Sequence, residues 1–463
     1  MGKAPISQLL LGTLAPVVLL LGALAIAGPA SAGTPVGAQF QLNSYTAGSQ
    51  LRPSVAVDGD GYFVVVWESS GSAGSDSSSS SIQGQLYDSS GNLIGGEFQI
   101  NTYTTSFQSS PSVSVDADGD FVVVWESSGS AGSDSLNRSI QGQRYEADGS
   151  AVGAQFQVNS YTTGNQQLPS VSVDADGDFV VVWEGAGSAG SDTSSGSVHG
   201  RRYDSGGNAL GAEFQVNTYT TSQQVGPAVS VDADGDFVVV WRSTGSFDDD
   251  DSGSSVQGRR FDSNGNGLGA EFQVNTYTTG AQRSPSVSSS AFGDFVVVWH
   301  GAVSAGTDTS SYSVQGQRYD AGGNAQGAEF QVNTYTTLAQ KFPSVAVDVD
   351  GDFVVVWSSG GSADTDDSSY SVQGQRYDAS GNPVSSEFQV NSHTTSGQFS
   401  YSVAVDPDGD FVIVWSSGGS PGDDSSSYSA QGQRYTIPEP TGMMMLAAGI
   451  AFLSTIGSRR IKA

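Results

Sequence analysis

Two apolar patterns alternate along the chain. In Pro53-Ser54-Val55-Ala56-Val57, and again in Glu97-Phe98-Gln99-Ile100-Asn101-Thr102-Tyr103, apolar residues take every second place. That period of two predicts a strand with one packed face. In Tyr62 to Trp67, and more fully in Phe121 to Trp125, the apolar residues are consecutive, which suits a strand buried on both faces. A further segment, Ser81 to Tyr87, holds Gly84 in its middle, where a neighbour must come close. Turn chemistry separates these segments. Asp116-Ala117-Asp118-Gly119 precedes the consecutive apolar run, and Asp88-Ser89-Ser90-Gly91-Asn92 follows the glycine-bearing strand. Both are residues that tight hairpins require. The pattern predicts four short strands in order.

The same plan then recurs. Trp67, Trp125, Trp183, Trp241, Trp299, Trp357 and Trp415 stand 58 residues apart throughout. A fixed period of this length marks a repeat architecture. One four-stranded sheet cannot bury both faces, so the units must stack. The two ends decide how. Gln39 to Tyr45 has the pattern of a fourth strand with no unit before it, whereas the last unit stops after its third strand, Tyr428 to Tyr435. A chain that begins with the strand its end lacks closes into a ring. The expected fold over residues 33–436 is an all-β, seven-bladed β-propeller closed by its N-terminal strand. An open solenoid would carry whole units and polar caps instead. In such a ring the first strand lines the channel and the second is buried. The one-two and three-four turns share one face; the two-three and four-one loops share the other.

Composition narrows the chemistry. The formal charge is -30 and there is no cysteine. That excludes disulfides and thiolate chemistry and argues against nucleic acid, which needs a cationic face. Acidic turns raise the question of calcium. Asp116, Asp118 and Asp120, and likewise Asp174, Asp176 and Asp178, present closely spaced oxygens. The distant bidentate Glu of an EF-hand loop is absent, so each reads either as a calcium site or as a hairpin turn. The loop after each tryptophan also carries one aspartate at a fixed place: Asp76, Asp134, Asp192, Asp250, Asp308, Asp366 and Asp424. One carboxylate per loop either holds the turn or contributes to a calcium ring.

Before the first strand the copies diverge: Leu51-Arg52, Ser109-Ser110, Gln167-Leu168, Val225-Gly226, Arg283-Ser284, Lys341-Phe342 and Phe399-Ser400. These loops should encircle one mouth of the channel. Arg52, Arg283, Lys341, Phe342 and Phe399 are therefore candidates for a saccharide or polyanion site, with drift in exposed loops as the competing explanation. The residue after each tryptophan varies too: Glu68, Glu126, Glu184, Arg242, His300, Ser358 and Ser416. An acid or base at the rim is conceivable, yet no catalytic residue stands out. His199, His300 and His393 fall at three different places in the unit and do not suggest a metal triad.

The ends carry addresses. Lys3, an apolar run from Leu9 to Ala27 and the small-x-small pattern Ala30-Ser31-Ala32 read as a secretory signal peptide over residues 1–32. At the other end Pro438-Glu439-Pro440 precedes an apolar run from Met443 to Ile456 and then Arg459-Arg460. This tail, residues 437–463, resembles the PEP-CTERM sorting signal of Gram-negative bacteria. The resemblance implies a transmembrane helix, transient anchoring in the inner membrane, processing by an exosortase, and release to the cell surface or an exopolysaccharide matrix. A plain C-terminal anchor is the alternative. The repeats themselves, with Gly-Ala-Glu-Phe-Gln-Val-Asn-Thr-Tyr-Thr-Thr and Val-Gln-Gly-Gln-Arg-Tyr-Asp, are similar to tandem repeats of large secreted bacterial surface proteins. Together these features suggest a structural or carbohydrate-binding component of biofilm. The alternatives are an extracellular polysaccharide hydrolase or lyase, and a calcium-dependent adhesion scaffold.

Overall fold

The computed structural model describes residues 33–437, apart from short stretches within the loop that follows each tryptophan. Ala30, Ala32, Pro438, Glu439, Pro440, Arg459, Arg460, the run from Met443 to Ile456, and Asp250 lie outside the described residues. Within them there are seven antiparallel four-stranded sheets, the blades of a seven-bladed β-propeller. The first blade consists of Gln50–Val57, Phe63–Ser69, Ser81–Tyr87 and Leu93–Gln99.

The second strand supplies the core on both of its faces, as its consecutive apolar residues require. Val64 and Val66 pack with Phe121 and Trp125 of the next blade. Phe63, Val65 and Trp67 pack against Val412 and Val414 of the last blade. Each tryptophan is completely buried, and its indole cannot be left without an acceptor there. Trp67 Nε1 donates to Oε1 of Gln50 at 3.0 Å. The same pair recurs in every blade, from Trp125–Gln108 to Trp415–Gln398. A fully buried glutamine at the head of the first strand thus fixes the tryptophan of the second.

The mid-strand glycine behaves as expected. A Cβ at Gly142 would lie 2.6 Å from the Phe156 ring of the fourth strand, so the phenyl packs directly over the backbone.

The fourth strand departs from the expected Glu97 to Tyr103, because pairing ends earlier. Asn101 leaves the ladder: its Oδ1 accepts from the Ile82 amide at 2.7 Å, and its Nδ2 donates to Asp76 Oδ2 at 2.8 Å and to the Tyr103 carbonyl. A side chain takes over the hydrogen bonding that the strand would have made. In blades three to six the fourth strand is reduced to two residues, as at Phe214–Gln215.

The ring closes as the ends suggested, although the closing strand runs Thr34–Gln41 rather than Gln39 to Tyr45. It pairs with Ser429–Thr436, Thr34 opposite Thr436 and Gln41 opposite Gln431. The joint also repeats an interblade contact found elsewhere. Glu97 Oε2 accepts from the Ser44 amide and hydroxyl and from the Tyr45 amide. Across the closure Gln39 Oε1 accepts from the Ser392 amide and hydroxyl and the His393 amide. Third-strand arginines add a second tie, Arg144 donating to the Ser205 and Gly206 carbonyls of the following blade.

Candidate functional site: the two mouths of the channel

At the mouth formed by the one-two turns, Asp58, Asp116, Asp174, Asp232, Asp348 and Asp406, with Ser290 in the remaining blade, line a cavity of about 300 Å³. The turn explains the residue. Asp116 Oδ1 accepts from the amides of Asp118 and Asp120, at 3.0 and 2.9 Å. Asp174 does the same with Asp176 and Asp178. This is the aspartate-capped turn that a short hairpin needs. Asp120 and Asp178 each accept from the amide opening a three-four turn, Ala147 and Ser205. Asp118 and Asp176 are exposed. The six residues considered as calcium ligands thus divide into turn caps, turn ties and solvated side chains. Among the described residues no group of three or more histidines or carboxylates is placed to hold a metal ion.

Crowding at this mouth favours the neutral acids. Burial raises the carboxyls of Asp116, Asp174 and Asp232. Asp348 and Asp406 are pushed up to about 6, by burial first and then by the charges of Asp352 and Asp410.

The loop aspartates are buried anchors. Asp76, Asp134, Asp192, Asp308, Asp366 and Asp424 accept from Asn101, Asn159, Asn217, Asn333, Asn391 and Asn43 respectively. Each pins a Ser/Gly-rich loop to the end of a fourth strand, which favours the turn-holding reading of these positions.

The opposite mouth is built from a bulge. In each blade the register between first and second strands slips just after the first member of the divergent pair, between Leu51 and Ser54 in the first blade. The second member of the pair adopts a left-handed backbone: Arg52, Ser110, Leu168, Ser284, Phe342 and Ser400 have φ of 48–55°, and Gly226 has 62°. Six non-glycine residues in this region are uncommon. The bulge turns their amides toward the preceding blade, where Arg52 donates to Ser416 Oγ, Gly226 to Glu184 Oε2 and Phe342 to His300 Nδ1.

Register then brings two sequence rows into one ring. The first member of each pair lies directly across from the residue after the tryptophan: Leu51 from Glu68, Ser109 from Glu126, Gln167 from Glu184, Val225 from Arg242, Arg283 from His300, Lys341 from Ser358 and Phe399 from Ser416. Sequence reasoning found both rows but did not join them. Counting back from the one-two hairpin would have set Arg52, not Leu51, across from Glu68, because the bulge shifts the register by one.

The joined ring is polarised. Blades one to three carry Glu68, Glu126 and Glu184, the first two lining a cavity of about 340 Å³ that also includes Arg52, Arg138 and Leu168. Arg52 pairs with Glu68 at 2.5 Å and Arg138 with Glu126. Burial raises the carboxyls of Glu126 and Glu184; Arg138 opposes the shift at Glu126, and the Glu126 charge adds to it at Glu184. Blades four to six carry Arg242, Arg283 and Lys341, and among the described residues none of these has a carboxylate within 4.0 Å. Arg242 Nε is buried without a partner.

Aromatic rings accompany the cations. Lys341 Nζ lies 4.6 Å from the Tyr312 ring centre, and His300 packs edge-on against both Tyr312 and the exposed Phe342, at 5.3 and 5.2 Å. Burial, then Lys341, Arg283 and Arg242, hold the His300 imidazole neutral by pushing its pKa down to about 3. With Nδ1 accepting from Phe342, its proton sits on Nε2, so His300 is a donor rather than a base.

Of the five rim candidates, the structure groups Arg283, Lys341 and Phe342. Phe399 belongs to a separate aromatic set with Tyr370 and Tyr428. Arg52 sits among the carboxylates. Arg242, His300 and Tyr312 join the cationic group. The other histidines are elsewhere: His199 is buried between Ser197 and Glu213, and His393 pairs with Thr395.

No family model and no curated protein matches the chain. Solved structures match its fold. The polysaccharide lyase Uly1 is 11% identical, with a TM-score of 0.50 over 85% of this chain and 91% of its own. A protein of unknown function from Dyadobacter fermentans is 12% identical, with a TM-score of 0.47 over 72% and 95%. An α-L-arabinanase from Penicillium chrysogenum is 14% identical, with a TM-score of 0.47 over 70% and 92%. At such identities the likeness is one of architecture alone, which hosts many chemistries.

Proposed function

We propose that this chain is an exported glycan-binding component of the cell surface or extracellular matrix, and that the polarised mouth holds the saccharide. One observation carries the reading. At a ring position fixed by register, the blades change from carboxylate to guanidinium to imidazole to hydroxyl. A symmetric scaffold gains nothing from that change, whereas a ligand without sevenfold symmetry requires it. Exposed Phe342 offers an apolar face for a sugar ring, and the flanking cations and carboxylates offer hydrogen bonds. The address comes from the sequence: the signal peptide, and the tail whose resemblance to PEP-CTERM signals implies exosortase processing after transient residence in the inner membrane.

A second reading, an extracellular polysaccharide hydrolase or lyase, draws on Glu126 and Glu184. These two buried carboxyls on neighbouring blades both have raised pKa values, the condition a general acid needs. One experiment separates the readings. Residues 33–437 are sedimented with the producing organism's exopolysaccharide, and the polymer is sized afterwards. Binding with intact polymer is the expected result. Shortened polymer would transfer the proposal to the enzyme, and absence of binding would defeat both.

A further inference from the structure

We infer that the glycan is acidic, and that Arg242, Arg283 and Lys341 form the subsite for its carboxylates; this rests on the glycan-binding reading above. The protein has a formal charge of -30, with 47 acidic residues against 17 lysines and arginines. Other cations of the blades are engaged: Arg52 and Arg138 pair with glutamates, while Arg144, Arg202, Arg260 and Arg318 donate to carbonyls of the following blade. Yet three consecutive blades place a cation on one side of the same mouth with no carboxylate within 4.0 Å among the described residues. Arg283 stands directly across from His300, and Lys341 occupies the corresponding place in the next blade. Arg242 is half-buried, its Nε facing no acceptor. Like charges brought together at a cost are relieved when an anion enters.

A second feature selects a sugar acid over a small inorganic anion. Phe342 is 57% exposed, and its backbone is locked by the bulge and by the bond to His300. The phenyl ring therefore presents a fixed apolar platform beside the cations. A pyranose carrying a carboxylate matches both halves, stacking its C–H face on the ring while its acid meets Arg283 and Lys341. Guanidinium groups suit carboxylates particularly well. The carboxylates of blades one to three make the ring directional, repelling the acid from that side.

The test compares polygalacturonate, its methyl ester and dextran for binding to residues 33–437, alongside the Arg283→Gln/Lys341→Gln variant. Polygalacturonate should bind at low salt, weaken as salt rises, and weaken on the order of tenfold or more in the variant. The ester and dextran should bind more weakly than the acid. Circular dichroism and unfolding midpoint confirm that the variant is folded, because neither side chain is in the core. Equal binding of acid, ester and dextran, or producer exopolysaccharide binding that survives both high salt and the double substitution, would overturn the acidic class while leaving glycan binding in place. Failure to bind any of these polymers would overturn both.

Discussion

The channel has two mouths, and one repeat builds them by opposite rules. At the mouth of one-two turns, six of seven blades present the same aspartate to the cavity. At the other, the corresponding ring carries Glu, Arg, His or Ser. The difference follows from what each side chain does for the backbone. Asp116 must supply an acceptor for two amides of its own turn, and only a short carboxylate or amide reaches both. Across the channel, a bulge amide asks only for some acceptor on the neighbouring blade. Ser416, Glu184 and His300 all serve. A position with so loose a structural demand is free to diversify for a ligand.

Substitutions should separate the mouths. Asp174→Ala leaves the amides of Asp176 and Asp178 without their acceptor, and should cost about 1–2 kcal/mol of stability. Ser109→Ala, at the other mouth, should stay within about 0.5 kcal/mol of the parent. Denaturant unfolding of the two variants checks the contrast, and equal losses would break it.

The bulge should store strain that glycine releases. Ser284 has a φ of 50°; Ser284→Gly should stabilise the protein by about 0.5–1 kcal/mol, the steric relief exceeding the added chain entropy. Destabilisation would mean that the Ser284 side chain does more for the bulge than the backbone geometry shows.

The smallest effect is one of pH. Asp348 and Asp406 are raised to about 6, so the fold favours their neutral forms. Stability from that preference is complete below the unfolded pKa of 3.8 and is lost as pH rises through about 6. The Asp348→Asn/Asp406→Asn variant keeps both acceptor oxygens and cannot ionise. Its melting temperature should match the parent near pH ~4 and exceed it by about 1–2 °C near pH ~7. A gap that narrows with rising pH would contradict the assignment.

Much of this was legible in the sequence because the repeat displays it seven times. The tryptophan spacing, the glycine under the fourth-strand phenyl and the missing last strand led to a closed seven-bladed ring. Within a strand, alternation also showed which residues share a face. Contacts between segments were less accessible. The Trp67–Gln50 bond joins residues of two different strands, and the Asn101–Asp76 link that ends the fourth strand early joins that strand to a loop. Neither follows from periodicity. The polarised ring was half visible: two variable rows were evident, but their fusion depends on a register slip of the inner strand. Arg242 and Tyr312 entered the site only through that geometry.

The most direct measurement is exopolysaccharide binding by two matched variants, one at each mouth: Arg283→Gln/Lys341→Gln/Phe342→Ala, and Asp58→Asn/Asp116→Asn/Asp174→Asn. The account predicts that the first loses binding by on the order of tenfold or more while remaining folded, and that the second binds as the parent does. Loss confined to the second variant, or equal behaviour of the two, would contradict the assignment of the polarised mouth as the functional site.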